Sequence, residues 1–193
     1  MVMHNYRVTA TPNDYCAAAD NGAGYLMPGM LQEPRSVSGL KSGLSAWAKH
    51  CSKYYQKWGL TITGFVIDGE APGLDSDGLD CYASFSPNGI VPQKMPLTLL
   101  HNDMPVIRAD YDIVDHDYRR ATDVIVERVE KRPVPFHWFR AILKSPSWYK
   151  GICDELKQRH TNIELLDAPT FFELYRIYLK QHPDAAAGKI TMN

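Results

Sequence analysis

The sequence predicts an α/β domain in which strands and helices alternate along the chain. Three observations carry this expectation. An amphipathic run from Leu40 to Trp58 stops at Gly59, a β-branched run from Leu60 to Ile67 follows it, and the strand-then-helix order returns at Met104 and again at Val134. Such alternation favours parallel pairing through right-handed crossovers. About four or five units of this kind fit a small or incomplete TIM-like, barrel-like parallel sheet as well as they fit an open one.

The first helix is predicted from apolar residues at Leu40, Leu44, Trp47, Ala48, Cys51, Tyr54, Tyr55 and Trp58, the spacing of one helical face. The strand after it feeds an acidic, glycine-containing loop, Asp68 to Gly78, and then a short helix through Leu79 to Phe85 that Asp77 or Asp80 would cap. Ser86 to Val91 reads as a turn. A strand at Met104 to Arg108 leads through acidic residues to Asp117, the expected cap of a helix from Tyr118 to about Glu130.

Val134 to Ile142 is the next predicted strand, followed by Ser145 as cap and Pro146 at the first position of a helix. Asn162 to Leu166 reads as a short strand. The last helix opens at Asp167 to Glu173, with Thr170 and Glu173 at capping-box spacing, and stops near His182-Pro183. The sequence holds no repeat or linker. Residues 1–183 are therefore expected to form one domain, and 184–193 a frayed, flexible tail.

Composition narrows the function. Hydrophobic residues at 45% and charged residues at 22% are ordinary for a folded protein. A net charge of -1 with interspersed signs leaves no basic surface to neutralise phosphates, so nucleic acid is not an expected partner. No apolar run approaches the roughly 20 residues that span a bilayer. Membrane is not expected either, and Met1 to Ala10 lacks the pattern of a signal peptide. Cys16, Cys51, Cys81 and Cys153 are too scattered for a metal or redox pair and are expected as buried thiols. No HExxH helix, Gly-x-Ser-x-Gly elbow, Walker loop or Rossmann loop occurs, so neither a metal nor a cofactor is expected.

In parallel α/β folds ligands lie beyond the carboxyl ends of the strands. Asp68 and Glu70 follow the most apolar strand, and two carboxylates in different environments can divide the acid and base work of glycosidic cleavage. The alternative is a solvated acidic loop. A second group, Arg108, Asp110, Asp112, Asp115 and His116, could organise sugar hydroxyls or hold a divalent cation, or could simply cap the next helix. A third is His137, Trp138 and Arg140. There an aromatic face and a strand-end cation suit a sugar, although alternation sends His137 and Trp138 to opposite faces.

The remaining signal is Asp20-Asn21-Gly22-Ala23-Gly24-Tyr25-Leu26-Met27-Pro28, a tight loop able to bring backbone amides and the Tyr25 ring to a ligand, or to serve only as a turn. Gly22, Gly24, Tyr25 and Pro28 make this segment resemble the signature of the GxGYxYP family of glycoside hydrolase-like proteins, with Met27 where the second Tyr belongs. Pro12-Asn13-Asp14-Tyr15 upstream, Ser86 to Val91, and Pro169 to Leu174 extend the resemblance from about Tyr6 to Leu179. It implies a barrel-like domain of sugar-processing character, a carbohydrate substrate, an N-terminal domain in a longer parent, and export in relatives. Gly22, Gly24 and Tyr25 would then contact substrate with Arg108, His137, Trp138 and Arg140, while Asp68 and Glu70 are the carboxylates expected to be catalytic. The competing expectations are a non-catalytic carbohydrate-binding module and a polysaccharide deacetylase-like enzyme.

Overall fold

The computed structural model describes residues 2–12, 14–35, 38–159 and 162–191; Asn13 of the Pro12 to Tyr15 stretch lies outside them. In chain order the elements are α1 (Val2–Thr9), α2 (Leu44–Trp58), β1 (Ile62–Val66), α3 (Ser76–Phe85), β2 (Gly89–Pro92), β3 (Thr98–His101) and β4 (Met104–Ile107). There follow β5 (Tyr111–Asp112), α4 (Tyr118–Lys131), β6 (Phe139–Arg140), α5 (Pro146–Arg159), α6 (Ala168–Gln181) and α7 (Pro183–Ala186). The fold is mixed α/β. A four-stranded sheet runs in the order β1-β2-β4-β3, and β5 and β6 form a second, parallel pair.

Pairing of β1 with β2 and of β2 with β4 is parallel, as alternation predicts, but β3 lies antiparallel to β4. The chain reverses between them at Asn102 and Asp103, both with positive φ, which makes a hairpin rather than a crossover. Beyond β1, Ala18 bridges Thr63 in parallel. The described strands therefore form two sheets, and neither closes on itself.

Residues on successive strand positions part to opposite faces. Ile90 and Val106 meet Trp47, Cys51, Tyr55, Tyr82 and Phe85 of α2 and α3. Their neighbours Val91 and Ile107 meet Phe172, Tyr175 and Leu179 of α6 on the other side. In β1 the alternation is broken: Thr63 pairs with Ile90 but Val66 with Pro92, so β1 holds one extra residue. This β-bulge returns Val66 to the α2 side, where the Tyr55 hydroxyl lies 2.7 Å from Thr63 Oγ1. A third cluster packs Ile113 among Ala121, Ile125, Trp148, Ile152 and Leu156 of α4 and α5.

Several expectations are corrected. The helix predicted from Leu40 begins at Leu44, and Leu40 is exposed. Asp75, not Asp77 or Asp80, caps α3 by accepting from the Gly78 amide, and Asp167 caps α6 through the Thr170 amide. Ser86 to Val91 is more than a turn, since β2 begins at Gly89. Val134 to Ile142 shortens to the two residues of β6, because Pro133 and Pro135 have no amide to give a ladder. Asn162 to Leu166 is not a strand, and its Leu165 side chain is exposed. The frayed tail is instead helical at α7, where Ala185 is fully buried and its carbonyl accepts from Thr98 Oγ1 at 2.7 Å. The thiols are free, but only Cys51 is buried and Cys16 is exposed.

Candidate functional site

The glycine segment leaves the Ala18 bridge, which pairs in parallel with β1, and so turns at the end of the sheet where β1 delivers Asp68. Asn21 holds the turn. Its φ of 65° is left-handed, its Oδ1 accepts from the Ile67 amide at 2.9 Å and from the Tyr82 hydroxyl at 3.3 Å, and its Nδ2 donates to the Leu26 carbonyl. Gly22 follows at φ +78°, where a Cβ would stand 2.6 Å from Tyr55 Cε2. A side chain does not fit there. Gly24 is also left-handed but faces open space, and Tyr25 is 83% exposed.

The same loop packs on the segment after β1. Met27 lays its sulfur against Gly69, and Gln32 accepts from the Asp75 amide at 2.8 Å. Asp68, next to Gly69, is buried. Its Oδ2 accepts from the amides of Gln93 and Lys94, each at 2.8 Å, while its Oδ1 is buried with no partner. Burial pushes the Asp68 carboxyl up, and the two amides and the Lys94 charge oppose that rise. Glu70, two residues on, is exposed. The two carboxylates thus occupy different environments, one desolvated and one in water.

Across the same end of the molecule, Arg140 on β6 forms a fork with Asp112 on β5, Nε to Oδ1 at 2.7 Å and the terminal nitrogen to Oδ2. Its guanidinium carbon stands 3.8 Å from the centre of the Phe65 ring on β1. The Asp112 hydrogen bond raises the Arg140 guanidinium above its ordinary range, against a lowering by burial, and Asp20 and Tyr25 are close enough to add to the rise. Tyr25 and Arg140, some 115 residues apart in sequence, therefore share one neighbourhood.

Trp138 and His137 do point to opposite sides. Trp138 packs with Phe171 and Phe172 at 5.4 and 5.3 Å between ring centres, and stands over Gly64, so its ring belongs to the core face toward α6. His137 Nδ1 lies 3.6 Å from Asp110 Oδ1, and Asp110 is also paired with the buried Arg132 and accepts from the Trp138 amide at 2.8 Å. Arg108 follows β4 and donates its amide to the Leu97 carbonyl. The acidic group after β4 does not converge: Asp115 accepts from the Asp117 amide, and Lys144 takes His116. Among the described residues no set of three or more His, Cys, Asp and Glu could hold a metal.

Behind the glycine loop lies a groove of about 390 Å³, open along α2 and lined by Gly22, Gly24, His50, Tyr54, Tyr55 and Trp58. This groove is not legible in the periodicity, which assigns all apolar positions of α2 to one buried face. In fact Leu44, Trp47, Cys51 and Tyr55 are buried, whereas His50, Tyr54 and Trp58 form a second stripe turned by one residue, roughly 100° around the helix. The signal is present as an apolar arc too wide for a single face. Gln93 and Lys94, whose amides hold Asp68, carry no motif.

No family model, no curated protein and no solved structure matches this chain. Among the described residues no helix is long and apolar enough to cross a membrane.

Proposed function

We propose that this chain is a carbohydrate-processing domain of the GxGYxYP glycoside hydrolase-like kind, with its sugar site at the glycine loop. The observation that carries the reading is the groove itself, lined by Gly22 and Gly24 of the loop together with Tyr54 and Trp58 of α2. Aromatic faces stack on the C–H faces of sugar rings, and a glycine such as Gly24, with open space where a Cβ would stand, lets a ligand approach the backbone closely. Tyr25, with Arg140 nearby, extends the polar surface toward the carboxyl end of β1.

Hydrolysis in this reading uses Asp68 as the general acid. Burial pushes the Asp68 carboxyl up, the direction a general acid needs, while the Gln93 and Lys94 amides oppose it. Glu70, exposed beside it, is the second carboxylate, and Asp112 keeps Arg140 oriented toward substrate. Contacts between β6 and β1, Trp138 on Gly64 and Arg140 on Phe65, are what supports an incomplete TIM-like barrel in this reading.

A second reading, a glycan-binding module without turnover, is favoured by the two backbone amides that already occupy Asp68 Oδ2. One experiment separates the two. A panel of poly- and oligosaccharides is scored for binding by calorimetry and for released reducing ends, with wild type, an Asp68→Asn, Glu70→Gln double variant, and Trp58→Ala. The hydrolase reading expects turnover that the double variant loses. Binding that Trp58→Ala abolishes, without turnover in any protein, leaves the module. Absence of both sinks the carbohydrate assignment.

A further inference from the structure

We infer that the groove along α2 takes an acidic glycan, one whose sugar rings carry carboxylate or sulfate groups. The inference rests on the carbohydrate reading and names its substrate class. Its ground is charge. The net charge of -1 is not spread evenly, because from Pro34 to Ile67 the sequence holds five Lys and Arg and no Asp or Glu. The fold gathers three of these, Lys49, Lys53 and Lys57, on α2, whose 15 residues include no carboxylate.

Two rows run side by side along that helix. His50, Tyr54 and Trp58 recur every fourth residue and line the groove, and Lys49, Lys53 and Lys57 form the row one residue back. The three lysines are exposed, and two of their ammonium groups stand at the groove's own rings. Lys53 Nζ is 5.7 Å from the centre of the Tyr54 ring, and Lys57 Nζ is 4.9 Å from that of Trp58. Arg7 of α1 adds a cation at the end of α2, where its Nη1 donates to the Lys57 carbonyl at 3.3 Å, and Met3 of the same helix lines the groove. α1 carries no carboxylate either.

Elsewhere the chain neutralises its lysines. Lys131, Lys150, Lys180 and Lys189 pair with Glu127, Asp154, Asp103 and Asp184. Among the described residues Lys49, Lys53 and Lys57 have no such partner. Like charges four residues apart on a helix repel, so the row works against α2. The helix dipole favours a cation only in the last turn, which covers Lys57 and neither Lys49 nor Lys53. An anionic substituent answers the charge of the row while the neighbouring rings hold the sugar. A single-stranded nucleic acid also joins stacking to phosphate, but it needs a groove that tracks its backbone. At about 390 Å³ this one has the size of a small-ligand site.

The test is titration calorimetry at low salt with two matched pairs, oligogalacturonate and its full methyl ester, and a κ-carrageenan oligosaccharide and its desulfated form. In at least one pair the charged member should bind about tenfold or more tightly than its neutral partner, and the preference should shrink as sodium chloride is raised. A Lys53→Gln, Lys57→Gln double variant with unchanged circular dichroism should bind the two members alike. Which pair shows the preference tells carboxylate from sulfate, and either supports the inference. Neutral members bound as tightly as charged ones overturn it and leave the carbohydrate reading standing, whereas no binding by any glycan removes both. A preference that the double variant keeps also overturns it, and so does a single-stranded oligonucleotide bound more tightly than every glycan.

Discussion

Asp112 and Arg140 clip the ends of β5 and β6 together, with Arg140 Nε 2.7 Å from Asp112 Oδ1. Both groups keep contact with water, so the fork adds little to stability, about 1 kcal/mol or less. Its geometry matters more. Lysine keeps the charge but loses the planar fork and the stacking on Phe65. Arg140→Lys and Asp112→Asn should each leave the urea midpoint nearly unchanged while lowering glycan affinity several-fold, measured by calorimetry on any sugar the panel identifies. An equal loss in midpoint and affinity would mean the pair acts only on the fold.

The two glycines of the loop separate conformation from space. Both have left-handed φ, +78° at Gly22 and +72° at Gly24, so alanine at either carries a backbone cost of about 1 to 2 kcal/mol. Only at Gly22 does the new methyl meet the Tyr55 ring, which is 2% exposed and tied to Thr63, so it has nowhere to go. Overpacking of that kind adds about 1 to 3 kcal/mol. Urea denaturation should rank Gly22→Ala well below Gly24→Ala in stability. Equal midpoints would show that Tyr55 yields to the methyl.

Asp68 sets a pH dependence whose sign follows from its direction of shift. Burial raises its folded carboxyl above the unfolded value, about 3.9, so the folded state holds the proton more tightly. The contribution is fully present below that unfolded value and is lost as pH rises through the folded one. The carboxamide of an Asp68→Asn variant has nothing to titrate and still offers an oxygen to the Gln93 and Lys94 amides. The stability of wild type relative to the variant should therefore fall as pH rises from about 4. A difference that stays flat, followed by urea midpoints across that range, would mean Asp68 titrates alike in both states.

How far the sequence carried depends on the kind of signal. Alternation, the Asp117 cap, the Gly59 stop and the halt near His182 all rest on local chemistry, and β1, α4, α5, α6 and the end of α2 stand where that chemistry puts them. What failed was non-local. β2 and β3 are four residues each, too short for a period to declare itself, and they are strands because β4 lies between them. Val134 to Leu166 offered apolar runs without regard for which had a partner to pair with. At the site, the glycine loop stood out by composition, whereas Asn21 owes its role to Ile67, 46 residues away, which no spacing rule connects to it.

The C-terminal segment gives the sharpest test of that lesson, since its composition argued for fraying and its contacts argue for docking. Ala185 is fully buried, its carbonyl accepts from Thr98 Oγ1, and Gly188 sits against Pro96. A chain ending at Pro183 would leave the buried Thr98 hydroxyl without its acceptor, a loss of about 1 to 3 kcal/mol. Thr98→Val in the full chain removes the donor and strands the Ala185 carbonyl instead. Combined with the truncation, the same substitution has no hydrogen bond left to remove, and should cost less than in the full chain. Urea denaturation of the four proteins reads that coupling directly. Truncation without loss of stability, or two effects that simply add, would restore the frayed tail.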